Sequence, residues 1–346
     1  MKLLLFYRLL PLGIFCLIAA LLSMCATPPP APRSPVAAGA GTEAPTPPAG
    51  GATKPGKSET FEAYWRTDEG KQKITLRSWT GPDGKEYGVA QGDMVMGLRD
   101  ELEIIPGDSG RGLHGGYTKV WPLGIVPYYL QPNLVKRKLF LDAVAKFHAL
   151  KHPANGQPII RFVEMTAANF PQGLPKVYVD VQNTSDPKIG GRADYGRQNK
   201  RHNFWLNQAT NGVTVGIVMH EMLHALGFAH EQCRKDRDLY VTIDNEKLDP
   251  YYKSELAIIP FGRNSGLYDY LSLSHYPTSS FPKHEGDATI IPKTQKELDL
   301  LPADKRVKAV KASVLGNSDH LSQGDCQMLL DFYGEECVKR YNTQHW

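Results

Sequence analysis

The run His220-Glu221-Met222-Leu223-His224-Ala225-Leu226-Gly227-Phe228-Ala229-His230 holds three imidazoles, one carboxylate and one glycine at spacings that suit metal-assisted hydrolysis. His220 and His224 stand four apart, so one face of a helix presents both rings to a single point. Glu221 is rotated off that face, where its carboxylate can reach a water at the metal and act as general base. Gly227 can adopt a left-handed conformation and end the helix. The chain then turns, and His230 completes the set. Three protein ligands leave a fourth position for water, which a catalytic zinc site needs and a structural one lacks. The expectation is one Zn2+ per chain, bound by His220, His224 and His230. A structural zinc domain fails on ligand count, because no fourth His or Cys stands at suitable spacing.

These residues need a rigid helix beneath them. The apolar lead-in Val213-Thr214-Val215-Gly216-Ile217-Val218-Met219 supplies one that is buried, which an exposed helix with scattered histidines would leave unexplained. Upstream, Ile125–Leu130 reads as a strand. Residues 134–151 have helical spacing, with Leu139, Ala143, Val144, Phe147 and Leu150 on one face. Residues 159–164, 176–181 and 203–206 read as strands, and a last helix is expected over about Ser322–Phe332. Residues 293–316 lack periodicity and read as a surface insertion in preference to a loop rimming the substrate cleft. Between Glu59 and Arg111 lies a separate segment, in which Lys73–Trp79 alternates like a strand.

At 346 residues with 41% hydrophobic content the chain can bury a sizeable core. A formal charge of +4 and the lack of a basic stripe give no argument for a nucleic-acid partner. Lys2 and Arg8 precede an apolar stretch too short for an ordinary membrane span, so residues 1–25 read as an export signal. Leu22-Ser23-Met24-Cys25 resembles a bacterial lipoprotein cleavage site, although methionine before the cysteine is atypical. A lipidated Cys25, plain secretion and an uncleaved anchor all stay open, and each places the rest outside the cytoplasm. Residues 26–58 hold nine of the 26 prolines, cannot build a core and read as a tether. Cys233, Cys326 and Cys337 allow at most one bridge among themselves; one such bridge, with no pairing assigned, and three reduced buried thiols both stay open.

The residues after His220 narrow the family. The stretch His220–His230 followed by Glu231-Gln232-Cys233-Arg234-Lys235-Asp236-Arg237-Asp238 resembles the astacin signature at every fixed position. Tyr268-Asp269-Tyr270-Leu271-Ser272-Leu273-Ser274-His275-Tyr276 resembles that family's Met-turn segment, and Trp121–Tyr128 the start of its mature domain. The resemblance implies an α+β metzincin fold over residues 112–346, with a twisted mixed sheet, two long helices and a loop-rich C-terminal half ending in a helix. It implies a zinc endopeptidase acting on peptide or protein substrates, and a monomer is expected. It makes Tyr276 a zinc ligand at rest and an oxyanion donor during turnover. It makes Gly92-Asp93 the core of a propeptide over residues 59–111, with Asp93 on the zinc of a latent enzyme. Cleavage is then expected at Arg111–Gly112, with the new amino terminus turning towards Glu231. One departure stands out: the family has methionine where this chain has Ser274. A serine there requires a hydrogen-bond partner or leaves a cavity for Leu271 or Leu273 to fill. That departure motivates the alternative, a zinc-bound peptide-binding protein of the same fold with little turnover.

Overall fold

The computed structural model describes residues 59–67, 70–103, 113–114, 120–258, 265–316 and 319–343. Cys25, Arg111 and Gly112, with the signal and the tether, lie outside the described residues.

The sheet that carries the site is built from strands contributed by both halves of the chain. They are β1 (Thr60–Thr67), β2 (Gly70–Thr80), β3 (Glu86–Ala90), β4 (Met94–Leu98), β5 (Leu113–His114), β6 (Ile125–Leu130), β7 (Arg161–Glu164), β8 (Val179–Thr184), β9 (Gly191–Asp194) and β10 (His202–Asn207). Among the described residues their order is β5-β1-β2-β3-β4-β9-β10-β8-β6-β7. The N-terminal strands β1 to β4 pair antiparallel in sequence. β4 then runs parallel to β9, with Met94 opposite Ala193 and Val95 opposite Asp194. β9 is antiparallel to β10, whereas β10, β8, β6 and β7 are parallel to one another. The sheet is therefore mixed, and residues 59–98 extend it at the β9 edge.

Two helices, α2 (Arg137–Ala149) and α3 (Val215–Leu226), pack into one core with this sheet. Phe140, Ala143, Val144 and Phe147 line the buried face of α2, as its apolar spacing predicts. They share a cluster with Val218, Met219, Met222 and Leu223 of α3 and with Val179, Val181 and Phe204 of the strands. The short helix α1 (Arg99–Leu102) follows β4. After α3 the chain has little regular structure: a ribbon of β11 (Val241–Ile243) with β12 (Ile290–Pro292), the short α4 (Gln295–Leu298), and the terminal α5 (Gln323–Thr343).

The terminal helix runs past the expected end at Phe332. Tyr333, Cys337 and Arg340 are buried, and Arg340 Nη1 donates to the Leu123 carbonyl at 2.5 Å. Residues 293–316 are tied down more firmly than a surface insertion requires. Leu298 and Leu315 are fully buried with Tyr240, Tyr268 and Tyr270, although Leu300 is exposed. Gly316 closes the stretch at φ 63°, where a Cβ would collide with the Pro277 nitrogen. Only glycine lets this loop rest against the backbone that follows Tyr276. A bridge among Cys233, Cys326 and Cys337 does not form, since Cys233 and Cys337 are both buried free thiols. Each sits in an apolar or hydrogen-bonded niche of its own, Cys233 beside the Glu255 carbonyl and Cys337 beside Pro158.

Candidate active site

The helix α3 is apolar on nearly all sides, as a helix in the middle of a core must be. The Thr214 side chain caps its start by accepting from the Ile217 amide. Its end follows the Schellman pattern. Gly227, at φ 97°, donates to the His224 carbonyl at 2.9 Å, and Phe228 donates to the Leu223 carbonyl at 2.9 Å. Two further carbonyls of the last turn are taken up by side chains, Ala225 by Trp121 Nε1 and Leu226 by the Tyr333 hydroxyl. This fixed ending returns the chain so that His230 faces the rings of His220 and His224.

The three Nε2 atoms converge. His220 Nε2 lies 3.0 Å from His224 Nε2 and 3.1 Å from His230 Nε2. Each Nδ1 faces an oxygen instead: the Leu273 carbonyl for His220 (2.8 Å), the Phe228 carbonyl for His224 (2.8 Å) and Gln91 Oε1 for His230 (2.9 Å). Oxygen acceptors hold the proton on Nδ1 and leave each Nε2 lone pair aimed at the common centre. Three such lone pairs repel at this separation unless a cation sits among them. Asp93 closes the fourth side, its carboxylate 3.3 Å from His220 and His224 and 3.2 Å from His230. Its Oδ1 is buried without a hydrogen-bond partner. A buried lone carboxylate oxygen facing three imidazole lone pairs is the donor set of a metal site, and the four residues form a cluster able to hold an ion.

Glu221 is buried beside this cluster, with Oε2 unpartnered. Burial and the nearby Asp93 carboxylate push it well above the ordinary range of a glutamic acid. Gly191 of β9 makes room for it, because a Cβ there would come within 2.7 Å of Glu221 Cγ. Tyr276 approaches from the other flank. Its ring centroid is 4.3 Å from that of His230, and its hydroxyl donates to the Gln91 carbonyl (2.5 Å) and to Asp93 Oδ2 (2.9 Å). Here the phenol is engaged with residues 91–93. Its backbone amide donates to Gln232 Oε1 at 3.0 Å, which ties the tyrosine to the turn after His230.

The sequence profile of the Astacin peptidase family matches residues 114–334, more than half of the chain. The chain belongs to the astacin family. Among curated proteins it is similar to an astacin-like metalloendopeptidase of Coturnix japonica, 45% identical over 78 residues, 22% of this chain and 19% of that one. It is also similar to the zinc metalloproteinase nas-14 of Caenorhabditis elegans, 32% identical over 215 residues, 59% of this chain and 40% of that one. The chain thus spans less than half the length of these relatives. A solved structure of high choriolytic enzyme 1, a hatching enzyme zinc-protease from Oryzias latipes, is 24% identical, with a TM-score of 0.48. The match covers 63% of this chain and 94% of that chain. Astacin-family enzymes are zinc-dependent, and the cluster of three histidines and one aspartate suits that ion.

Two residues of this astacin acquire partners that their sequence neighbours do not announce. Ser274 meets the polar requirement rather than leaving a void. Its hydroxyl lies 2.9 Å from that of Ser272, which donates to Asp325 Oδ1 at 2.7 Å. Asp325 also accepts from the Leu273 amide, so α5 braces the carbonyl that orients His220. Leu273 is buried in the main core, and Leu271 is exposed. Glu231 is partly buried, accepting from the Asp269 amide and from Arg234 Nη1, both at 2.8 Å. Burial raises its carboxyl to about 8, with Arg234 opposing. Gln91, Arg192 and Glu255 carry no sequence signal, yet all three touch the segment at the metal cluster.

Proposed function

We propose that the chain is a zinc endopeptidase made as a latent precursor, with residues 59–111 as its prosegment and residues 112–346 as its catalytic domain. The observation that carries this reading is the Asp93 carboxylate, within 3.2 to 3.3 Å of all three imidazole Nε2 atoms. His220, His224 and His230 would hold the zinc ion, and Asp93 would take the position a reacting water needs. When bound, the ion supplies Lewis-acid polarisation of the scissile carbonyl and acidifies the attacking water. Glu221 accepts the proton of that water and delivers it to the leaving amine. Tyr276, released from Asp93 and the Gln91 carbonyl, donates to the oxyanion.

The prosegment blocks the cleft as backbone as well as through Asp93. β4 occupies the open edge of β9, and Arg192 Nε and Nη2 donate to the Gly92 carbonyl at 3.1 and 2.9 Å. Trp79, Tyr87, Val89 and Val95 of the prosegment pack with Trp205 of β10. Cleavage at Arg111–Gly112 therefore leaves a well-packed inhibitor in place, and activity requires its departure or digestion. Glu231 then receives the new amino terminus.

The N-terminal signal and tether place the enzyme outside the cytoplasm, secreted or held at the cell envelope through Cys25. Proteins or peptides are its substrates. The test is casein hydrolysis by the full chain before and after digestion of the prosegment, with a chelator and Glu221→Gln as controls. Cleavage should appear only after digestion and vanish in both controls. A folded, zinc-loaded, processed chain that leaves casein intact would favour the peptide-binding alternative. Mass spectrometry of the mature N-terminus decides both the anchor and the cleavage point.

A further inference from the structure

One arginine of the prosegment occupies a site formed by the catalytic half alone. Arg77, on β2, is 7% exposed and donates through Nε to Glu255 Oε1 at 2.5 Å. Its Nη2 donates to the Tyr251 carbonyl. Its guanidinium carbon stands 3.9 Å from the centroid of the Tyr251 ring and 5.1 Å from that of Tyr252. A carboxylate, a carbonyl and an aromatic face together match each property that separates guanidinium from ammonium: charge, forked donors and a flat stacking surface. All of these groups lie on the 3-10 segment Pro250–Leu256.

The segment is held in place by the catalytic half. Asp249 caps its start, and Arg237 Nη1 donates to the Leu256 carbonyl (2.7 Å) and to the Gln232 carbonyl (3.0 Å), two residues beyond His230. Glu255 is 1% exposed because the prosegment covers it, and its charge is met by Arg77 and by the amide of Gly92. Gly92 adjoins Asp93, so Glu255 is within reach of a chain lying in the cleft at the metal cluster. Departure of the prosegment removes both direct partners at once and leaves Glu255 with Arg192 as a longer-range cation only, so its hydrogen-bonding oxygens need another donor or water.

We propose that Glu255, with Tyr251 and Tyr252, forms a guanidinium subsite that binds an arginine side chain of the substrate once the prosegment has left, and that Arg77 fills it in the latent chain. This rests on the peptidase reading above. The subsite would set specificity by position, since Glu255 stands at a fixed distance from the hydrolytic centre. Lysine fits less well than arginine, lacking the planar fork and the stacking face.

The test uses the full chain after limited digestion of its prosegment, verified by mass. Peptides that differ only by arginine or citrulline, moved residue by residue along the sequence, are compared by kcat/KM. At one position arginine should be preferred by about 10-fold or more, the range of a partly buried ion pair with a stacking contact. In Glu255→Gln that ratio should fall towards one. Equilibrium binding of the same peptide pair to digested Glu221→Gln protein reads the subsite without turnover. Equal cleavage and equal binding of arginine and citrulline peptides at every position would overturn the proposal while leaving peptidase activity standing. Absence of all cleavage, with arginine still preferred in binding, would instead sink the peptidase reading and keep the subsite.

Discussion

Gln91 Oε1 accepts from the ring of His230 at 2.9 Å, so a residue 139 positions upstream orients the third histidine of the cluster. His220 and His224 find their acceptors in backbone carbonyls of the catalytic half. Of the three, His230 has its Nδ1 acceptor in the N-terminal segment. Gln91 holds a left-handed φ of 54°, an unusual conformation for a residue with a side chain. Replacing it with alanine in the full chain should weaken zinc affinity by roughly 10-fold or more, the usual effect of losing such a partner. A competitive chelator titration measures this. An unchanged affinity would mean that the His230 ring is held by its packing alone.

Asp93→Ala should release some, not all, of the blocked activity. The substitution removes the carboxylate from the metal cluster but leaves β4 paired with β9 and Arg192 on the Gly92 carbonyl. The intact variant is expected to hydrolyse a fluorescent casein above the wild-type full-chain background and well below the digested enzyme. Activity equal to that background would place latency in the strand pairing; activity equal to the digested enzyme would show that the pairing contributes nothing.

Tyr276→Phe separates the phenol's two engagements. In the full chain the hydroxyl donates to Asp93 and the Gln91 carbonyl; the role proposed for it in the digested enzyme is donation to the oxyanion. The digested variant should retain its zinc and lose roughly 100-fold in kcat, the scale of one oxyanion donor. Metal content by mass spectrometry and kcat on one peptide check both halves of the statement. Normal turnover would remove Tyr276 from the chemistry.

The zinc helix and its ending are legible in the sequence because each step is local. Thr214, the apolar faces and Gly227 specify the helix and its Schellman turn, and the spacing of the histidines does the rest. Strand β9 is not legible. Gly191-Arg192-Ala193-Asp194 has no hydrophobic alternation, and it becomes a strand only because β4 and β10 pair with it on either side. The same holds for Arg77 and Glu255, which are 178 residues apart and look like ordinary surface charges until β2 reaches the 3-10 segment. Ser274 reads as a weakness in the sequence because its partners, Ser272 and Asp325, come from a tight turn and a distant helix. Local signals survive in a sequence read alone, whereas long-range pairing does not.

Asp194, at the end of β9, gives a pH dependence with a definite sign. Burial raises its carboxyl from 3.8 to about 7, and the Asn203 amide with Lys200 and Arg201 opposes this without cancelling it. The fold thus favours the protonated acid, and its stabilising effect is fully present below the unfolded value near 4. As pH rises from about 4 through about 7, the unfolded chain ionises readily while the folded one resists, and stability falls. The loss is on the order of a few kcal/mol for a group this buried. Asp194→Asn keeps an oxygen to accept from the Asn203 amide, now met at 2.8 Å by Asp194 Oδ2, and cannot ionise. Denaturant midpoints of wild type and Asp194→Asn should therefore diverge above about pH 5, with the variant the more stable at about pH 8. Parallel curves across that interval would show that Asp194 keeps its charge in the fold, compensated by Lys200 and Arg201.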